Sequence, residues 1–178
     1  MIDRSVLQNI VKNYDTSDVS VATIGSHSAL DIMDGAKSEN FHTLVICQKG
    51  REQTYNHYNR IIDDIITLPK FSDMLNDEVQ QTLISNNSIF IPHRSFTAYL
   101  DYDSIENNLK VPIFGNREML RTEERNVEKN QYYLLEKANI KYPKLFDKPE
   151  DIDRLVIVKV MESTRNIERA FFTASTYE

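Results

Sequence analysis

Two short polar stretches concentrate the residue types that bind anions. Thr23-Ile24-Gly25-Ser26-His27-Ser28 closes an apolar run, Val19 to Ile24, and precedes a helical period. Hydroxyls, an imidazole and the free N–H groups of a helix start together suit a phosphate. Pro92-His93-Arg94-Ser95-Phe96-Thr97 follows another short apolar run, Ser88 to Pro92. There histidine, arginine and serine can share a phosphate, the arginine as a forked donor. The third candidate is Lys159, a lone cation inside the apolar run Leu155 to Val160. Its ammonium must reach an anion or solvent, because an unpaired buried charge is costly. Each stretch also has a plainer reading. Gly25 can make a turn that Ser26 or Ser28 caps, with His27 on the surface. The second stretch can be a capped loop with a solvent-facing arginine, and Lys159 an edge-strand guard against aggregation. Spacing alone leaves both readings open at all three places.

The elements that must position these residues follow from hydrophobic period. An amphipathic helix is expected near residues 4 to 14, then a strand ending at Ile24. Ala29, Ile32, Met33 and Ala36 lie at i, i+3, i+4 and i+7, one face of a helix. Phe41 to Cys47 and Ile65 to Leu68 read as strands two and three, with a polar helical stretch around Tyr55 to Arg60 between them. Leu75, Val79 and Leu83 line a further helix before the fourth strand, Ser88 to Pro92. Strands alternating with helices predict a parallel α/β sheet with right-handed crossovers. In such a sheet the two polar stretches share the carboxyl edge, where ligands of open α/β sheets bind. Beyond residue 110 the spacing predicts an extended segment, Val111 to Asn116, and one long charged helix from Arg117 to about Ala138. Leu155 to Val160 and Arg169 to Ser175 then read as a hairpin, and a domain boundary is expected near 115 to 125. Charge-rich stretches such as Arg121 to Arg125 and Arg165 to Arg169 read as solvated faces.

Composition removes several function classes. The 21 Lys and Arg against 27 Asp and Glu give a net charge of −6, with no basic tract to follow a nucleic-acid backbone. No apolar run approaches the roughly 18 residues of a membrane span, so no membrane association is expected. The single cysteine, Cys47, excludes an internal disulfide and fits a reducing cytoplasm. His27, His42, His57 and His93 are scattered without metal-ligand spacing, and no phosphate-binding P-loop or GxGxxG occurs.

Taken in order, VATIGSHSALDIMDGAK, LVICQKGRE, IFIPHRSF, YDSIENN, VPIFGNREMLRTEER, EKANIKYPK, PEDIDRLVIVKV and ERAFFTAS closely resemble the archaeal PurP family. These are formate-dependent 5-formaminoimidazole-4-carboxamide ribonucleotide synthetases of the ATP-grasp class, and the similarity runs over essentially all of the chain. The resemblance implies a Rossmann-like parallel-sheet, substrate-binding domain over residues 1–115, followed by the start of an ATP-grasp domain over 116–178. It implies that His27 and Ser95 contact the substrate ribonucleotide and that Lys159 lies on a strand contacting ATP. The implied reaction is a ligation in purine biosynthesis. ATP phosphorylates formate, the 5-amino group of the imidazole attacks the formyl phosphate, and ADP and phosphate leave, with Mg²⁺ assisting the transfer. The implied partners are small molecules: ribonucleotide, formate and ATP. Exposed sheet edges leave homo-oligomerisation open.

The chain departs from the family pattern in three places. Where many relatives read P-H-G-S, Arg94 stands before the serine. Between the two strands expected to meet ATP, residues 161–168 contain no glycine, so phosphate cradling by backbone is not expected there. Family members also run to about twice this length, and the acidic residues that hold Mg²⁺ lie in the part absent here. This chain alone is therefore expected to be inactive, as a truncated gene model, a fragment or half of a split enzyme. Two other readings remain: a non-catalytic nucleotide-binding module, and an ATP-grasp ligase acting on a different amine.

Overall fold

The computed structural model describes residues 1–124, 127–159 and 171–177. The chain divides into two compact units, Met1–Arg117 and Glu118–Glu178. The first opens with helix α1 (Arg4–Lys12), whose N-cap Asp3 accepts from the Ser5 N–H. Strands β1 (Ser20–Ile24), β2 (His42–Gln48), β3 (Asp64–Leu68) and β4 (Ser88–Phe90) follow. Between them run helices α2 (Ala29–Ser38), α3 (Glu52–His57) and α4 (Asp77–Ser85), the last preceded by a 3₁₀ turn, Phe71–Leu75. Short helices α5 (Phe96–Tyr99) and α6 (Tyr102–Asn107) come after β4.

All four strands are parallel, in the order β3-β2-β1-β4. The expected α/β class is therefore present. The chain builds outward from β1 through β2 to β3, then crosses back to place β4 on the other side of β1. That reversal puts a topological switch point between β1 and β4, the usual place for ligands of open α/β sheets. The expected extended segment, Val111 to Asn116, covers the outer edge of β4. Phe90 N donates to Pro112 O and Phe114 N to Phe90 O, both at 2.8 Å.

Burial explains why the strands are nearly continuous hydrophobic runs. Thr43, Leu44, Val45, Ile46 and Cys47 of β2 are all buried, so the strand has no wet face, as a two-sided parallel sheet requires. On one face Val45 and Cys47 pack with Ala29 and Met33 of α2, Tyr55 of α3, and Ile61 and Ile62. Each such aliphatic side chain contributes about 2 kcal/mol of burial. Gln80 is the polar exception, about 1% exposed within α4. Its Nε2 donates to Leu75 O and Asn108 O while its Oε1 accepts the Lys110 N–H, so every polar atom is satisfied.

The second unit differs from expectation. The long helix over 117–138 is not formed; a 3₁₀ helix, Arg117–Glu123, is followed by a separate helix α7 (Gln131–Lys137). The Asn130 side chain accepts from Tyr132 N and Tyr133 N, a helix start written into the middle of the charged run. That run has no apolar stripe to hold one continuous helix against a core. Strands β5 (Val156–Lys159) and β6 (Phe171–Ala174) pair antiparallel, with Lys159 opposite Phe171. This is the expected strand pairing. Both flanks of the pair carry exposed apolar groups, Ile157 at 65% and Phe172 at 59% among them. The glycine-free stretch 161–168, with Arg165 and Arg169, lies outside the described residues, as does Arg125.

Candidate functional site

The turn after β1 and the loop after β4 meet at the switch point. Ser26 Oγ donates to Ser95 Oγ at 3.2 Å, and His93 Nε2 bonds the carbonyl of Ile24 at 3.0 Å. Thr23 Oγ1 adds a third tie, to Ile91 O at 2.8 Å. His27 and His93 face one another with ring centroids 6.3 Å apart and planes 27° from parallel. Structure thus brings His27 and Ser95 to one crevice. Arg94 stands exposed on the same loop.

The two histidines do different work. His93 is half-buried, and its other nitrogen, Nδ1, accepts the Ser95 N–H at 3.3 Å. With a carbonyl on one nitrogen and an N–H on the other, the ring is fixed as the neutral Nε2–H tautomer. Burial pushes its pKa down, against the Ile24 carbonyl, with His27 also opposing the charge. His93 is a latch between strand and loop, so of the histidine, arginine and serine in this stretch it has no ring atom left for a phosphate. His27 is exposed at the turn's tip, and its Nδ1 lies 2.6 Å from Ser28 Oγ.

Backbone geometry reverses the expected roles in the turn. His27, not Gly25, takes the left-handed conformation, with φ +39°. Gly25 is required for a different reason: a Cβ there would sit 2.7 Å from the Tyr55 ring. The ring of α3 packs directly on the turn's backbone. Ser28 occupies the N-cap position of α2, yet its side chain makes no capping bond, since its hydroxyl is turned to His27. The start of α2 is left without a side-chain cap, facing the crevice.

Three residues of this crevice escaped the sequence reading: Arg51, Tyr55 and Tyr99. Arg51 Nη1 donates to Tyr99 Oη at 3.2 Å, and the Ser26 hydroxyl lies close enough to the Tyr99 phenol to influence its charge. The Arg51 bond, then the Ser26 hydroxyl, hold the Tyr99 phenol below its ordinary pKa. Each hydroxyl carries one proton, so with Ser26 donating to Ser95 the Ser95 proton is left for a ligand. The signal that marks Arg51 is the QKGR turn after β2, where Gly50 has φ +93°. It too sits at a carboxyl end of the sheet. Tyr55 and Tyr99 carry no such marker, being aromatic residues of short helices.

Lys159 belongs to the second unit. Its side chain is exposed, with Nζ 5.8 Å from the centre of the Phe171 ring. Among the described residues no three His, Cys, Asp or Glu side chains converge to hold a metal ion. No helix among them is long and apolar enough to cross a membrane.

A four-stranded parallel sheet with helices between its strands defines an α/β unit, with two polar loops meeting at its switch point. The family described as "Protein of unknown function (DUF1246)" matches residues 21–146, and the chain belongs to that family. The proteins named 5-formaminoimidazole-4-carboxamide-1-(beta)-D-ribofuranosyl 5'-monophosphate synthetase are similar to it along most of its length. The one from Methanothermobacter thermautotrophicus is 46% identical over 178 residues, covering 99% of this chain and 47% of the relative. The one from Methanopyrus kandleri is 48% identical over 160 residues, covering 89% and 44%. A solved structure, the IMP biosynthesis protein PurP from Thermococcus kodakaraensis, matches with TM-score 0.59 and 30% identity, over 82% of this chain and 47% of that one. The motif resemblance to the PurP enzymes therefore holds across the chain. The chain spans about half the length of the curated relatives it matches.

Proposed function

We propose that this chain forms the ribonucleotide-binding part of an ATP- and formate-dependent ligase. The ligase formylates 5-aminoimidazole-4-carboxamide ribonucleotide on the path to IMP. The observation that carries the reading is the meeting of two turns at the switch point, with Ser26 Oγ 3.2 Å from Ser95 Oγ. The names of the relatives supply the substrate, and the crevice supplies groups that suit it. His27 offers a ring nitrogen or a ring face to the imidazole carboxamide. Ser95 offers its hydroxyl proton, and the N–H groups at the start of α2 suit a phosphate. In this reading residues 1–115 recognise substrate, and 116–178 begin an ATP-grasp domain in which Lys159 meets ATP. The setting is cytoplasmic.

The reaction joins formate to the 5-amino group. When ATP is bound it supplies the phosphoryl group that makes formate an acyl phosphate, and water must be kept from that intermediate. The described residues contribute binding and orientation: they hold the amine where an acyl donor can reach it. Among the described residues no three His, Cys, Asp or Glu side chains converge where Mg²⁺ could be held.

Calorimetric titration of the 178-residue chain with the ribonucleotide tests the site. His27→Ala and Ser95→Ala should each weaken binding about tenfold, the value of one well-placed hydrogen bond. Unchanged affinity in both variants would remove these residues from the site.

A further inference from the structure

The Arg51 guanidinium is held in place but not used up. It lies 5.7 Å from the Phe71 ring centre and 5.8 Å from that of Tyr99. One nitrogen donates to Tyr99 Oη at 3.2 Å. A guanidinium has five N–H donors in a flat fork, so most of them stay free. The neighbouring carboxylate does not neutralise it: Glu52 Oε2 is turned back to accept the Gly50 N–H at 2.7 Å. Among the described residues Arg51 makes no ion pair, and its contacts are with aromatic groups. In a chain of net charge −6, such an arginine fixed beside a crevice is a local anion attractor.

Its position fits the start of α2. Tyr99 bonds Arg51 and neighbours Ser26, so the guanidinium is linked through one phenol to the turn that leads into α2. That helix start has no side-chain cap, because the Ser28 hydroxyl faces His27. A second observation points into the same space. Tyr55 is 7% exposed and lies over Gly25, its hydroxyl oxygen 3.0 Å from where a Cβ would be. Among the described residues that hydroxyl has no hydrogen-bond partner. A core-packed phenol whose hydroxyl opens to solvent beside an uncapped helix start is a donor within reach of a ligand.

We propose that Arg51 is the phosphate anchor of this crevice, gripping the 5′-phosphate of the ribonucleotide at the start of α2, with the Tyr55 hydroxyl as its neighbouring donor. The inference rests on the reading that the crevice holds a ribonucleotide, and adds which end of that molecule lies where. Phosphate oxygens match the fork of arginine in pairs. The imidazole end then points to His27 and Ser95, on the far side of Ser26. Tyr99 is a positioning residue, aiming the guanidinium.

The experiment compares two probes by calorimetry on the full chain: 5-aminoimidazole-4-carboxamide ribonucleotide, and the same riboside without phosphate. Arg51→Gln should weaken the ribonucleotide about tenfold to a hundredfold and leave the riboside unchanged. Arg51→Lys keeps the charge and most of the stem packing, and should recover part of the loss. Tyr55→Phe should weaken only the phosphorylated probe, by a smaller factor. Equal losses for both probes in Arg51→Gln and Arg51→Lys, or no loss in either, would overturn the proposal. The outcome is separable from the site reading. If His27→Ala and Ser95→Ala weaken both probes while Arg51→Gln weakens neither, the crevice stands and the anchor falls. If the unaltered chain binds neither probe, both fall.

Discussion

His27 allows a test in which backbone and side chain give opposite answers. Its φ of +39° lies in the left-handed region, which costs an L-residue about 1–2 kcal/mol. Glycine removes that cost but adds roughly 0.5–1 kcal/mol of unfolded-state entropy. Either His27→Gly or His27→Ala loses the contact with Ser28, an exposed hydrogen bond worth about 0.5–1 kcal/mol. His27→Gly therefore comes out near the unaltered protein, while His27→Ala keeps the strain and loses the bond. The glycine variant should be the more stable of the two by about 1 kcal/mol, or about 4 °C in Tm for a chain of this size. Urea unfolding followed by tyrosine fluorescence measures it, since the chain has 9 tyrosines and no tryptophan. Ribonucleotide affinity should fall by the same factor in both variants, because both lack the imidazole. Should the alanine variant prove as stable as the glycine one, the turn is not strained. A glycine variant that binds as well as the unaltered chain would show instead that the imidazole does no work there.

Other expectations follow from the same crevice. Gly25→Ala should destabilise by about 1–3 kcal/mol, because the new Cβ meets the Tyr55 ring at 2.7 Å and Tyr55 is packed in the core; an unchanged urea midpoint would mean the ring moves aside freely. His93 sets a pH dependence. Its folded pKa lies below the ordinary 6.5, so the unfolded chain binds the proton more readily. The stability it contributes is complete above 6.5 and is lost as pH falls through the lower folded value. Urea unfolding at pH 7.5 and 5.5 should show the unaltered protein losing more stability on acidification than His93→Gln, whose amide can still donate to Ile24 O. Equal losses would count against the latch.

The strands and their parallel class were legible because each strand of the first unit is an apolar run bounded by turn residues, and two-sided burial makes such runs continuous; their spatial order was not. The meeting of the two polar loops was legible for a topological reason: in a parallel sheet, every loop after a strand leaves from one edge. What the pattern hid was whatever depends on distance across the fold. Nothing adjacent to Gly25 in sequence announces a tyrosine ring thirty positions on, so the glycine read as a turn residue rather than a clearance. Gln80 lies off the Leu75, Val79 and Leu83 stripe of α4, yet it is a buried tie between three backbone groups. The charged run after Arg117 read as one helix because its residues favour helix locally. Asn130 starts a new helix there, a choice that propensity summed over a window does not see.

The arrangement also explains why a strained residue persists in a unit this small. The strain costs stability and does not help the sheet: β1 would pair with β2 and β4 whatever stood at position 27. The neutral His93 latch and the Ser26–Ser95 bond hold the turn from outside, so the left-handed backbone at His27 is over-determined by its neighbours. Stability spent at a turn and held there by a second loop is the pattern of pre-organised recognition. A merely structural βα turn would relax through glycine at position 27. That difference is physical rather than nominal. It predicts that substitutions relieving the strain weaken ligand binding, whereas in a turn with no ligand they would carry no functional cost at all.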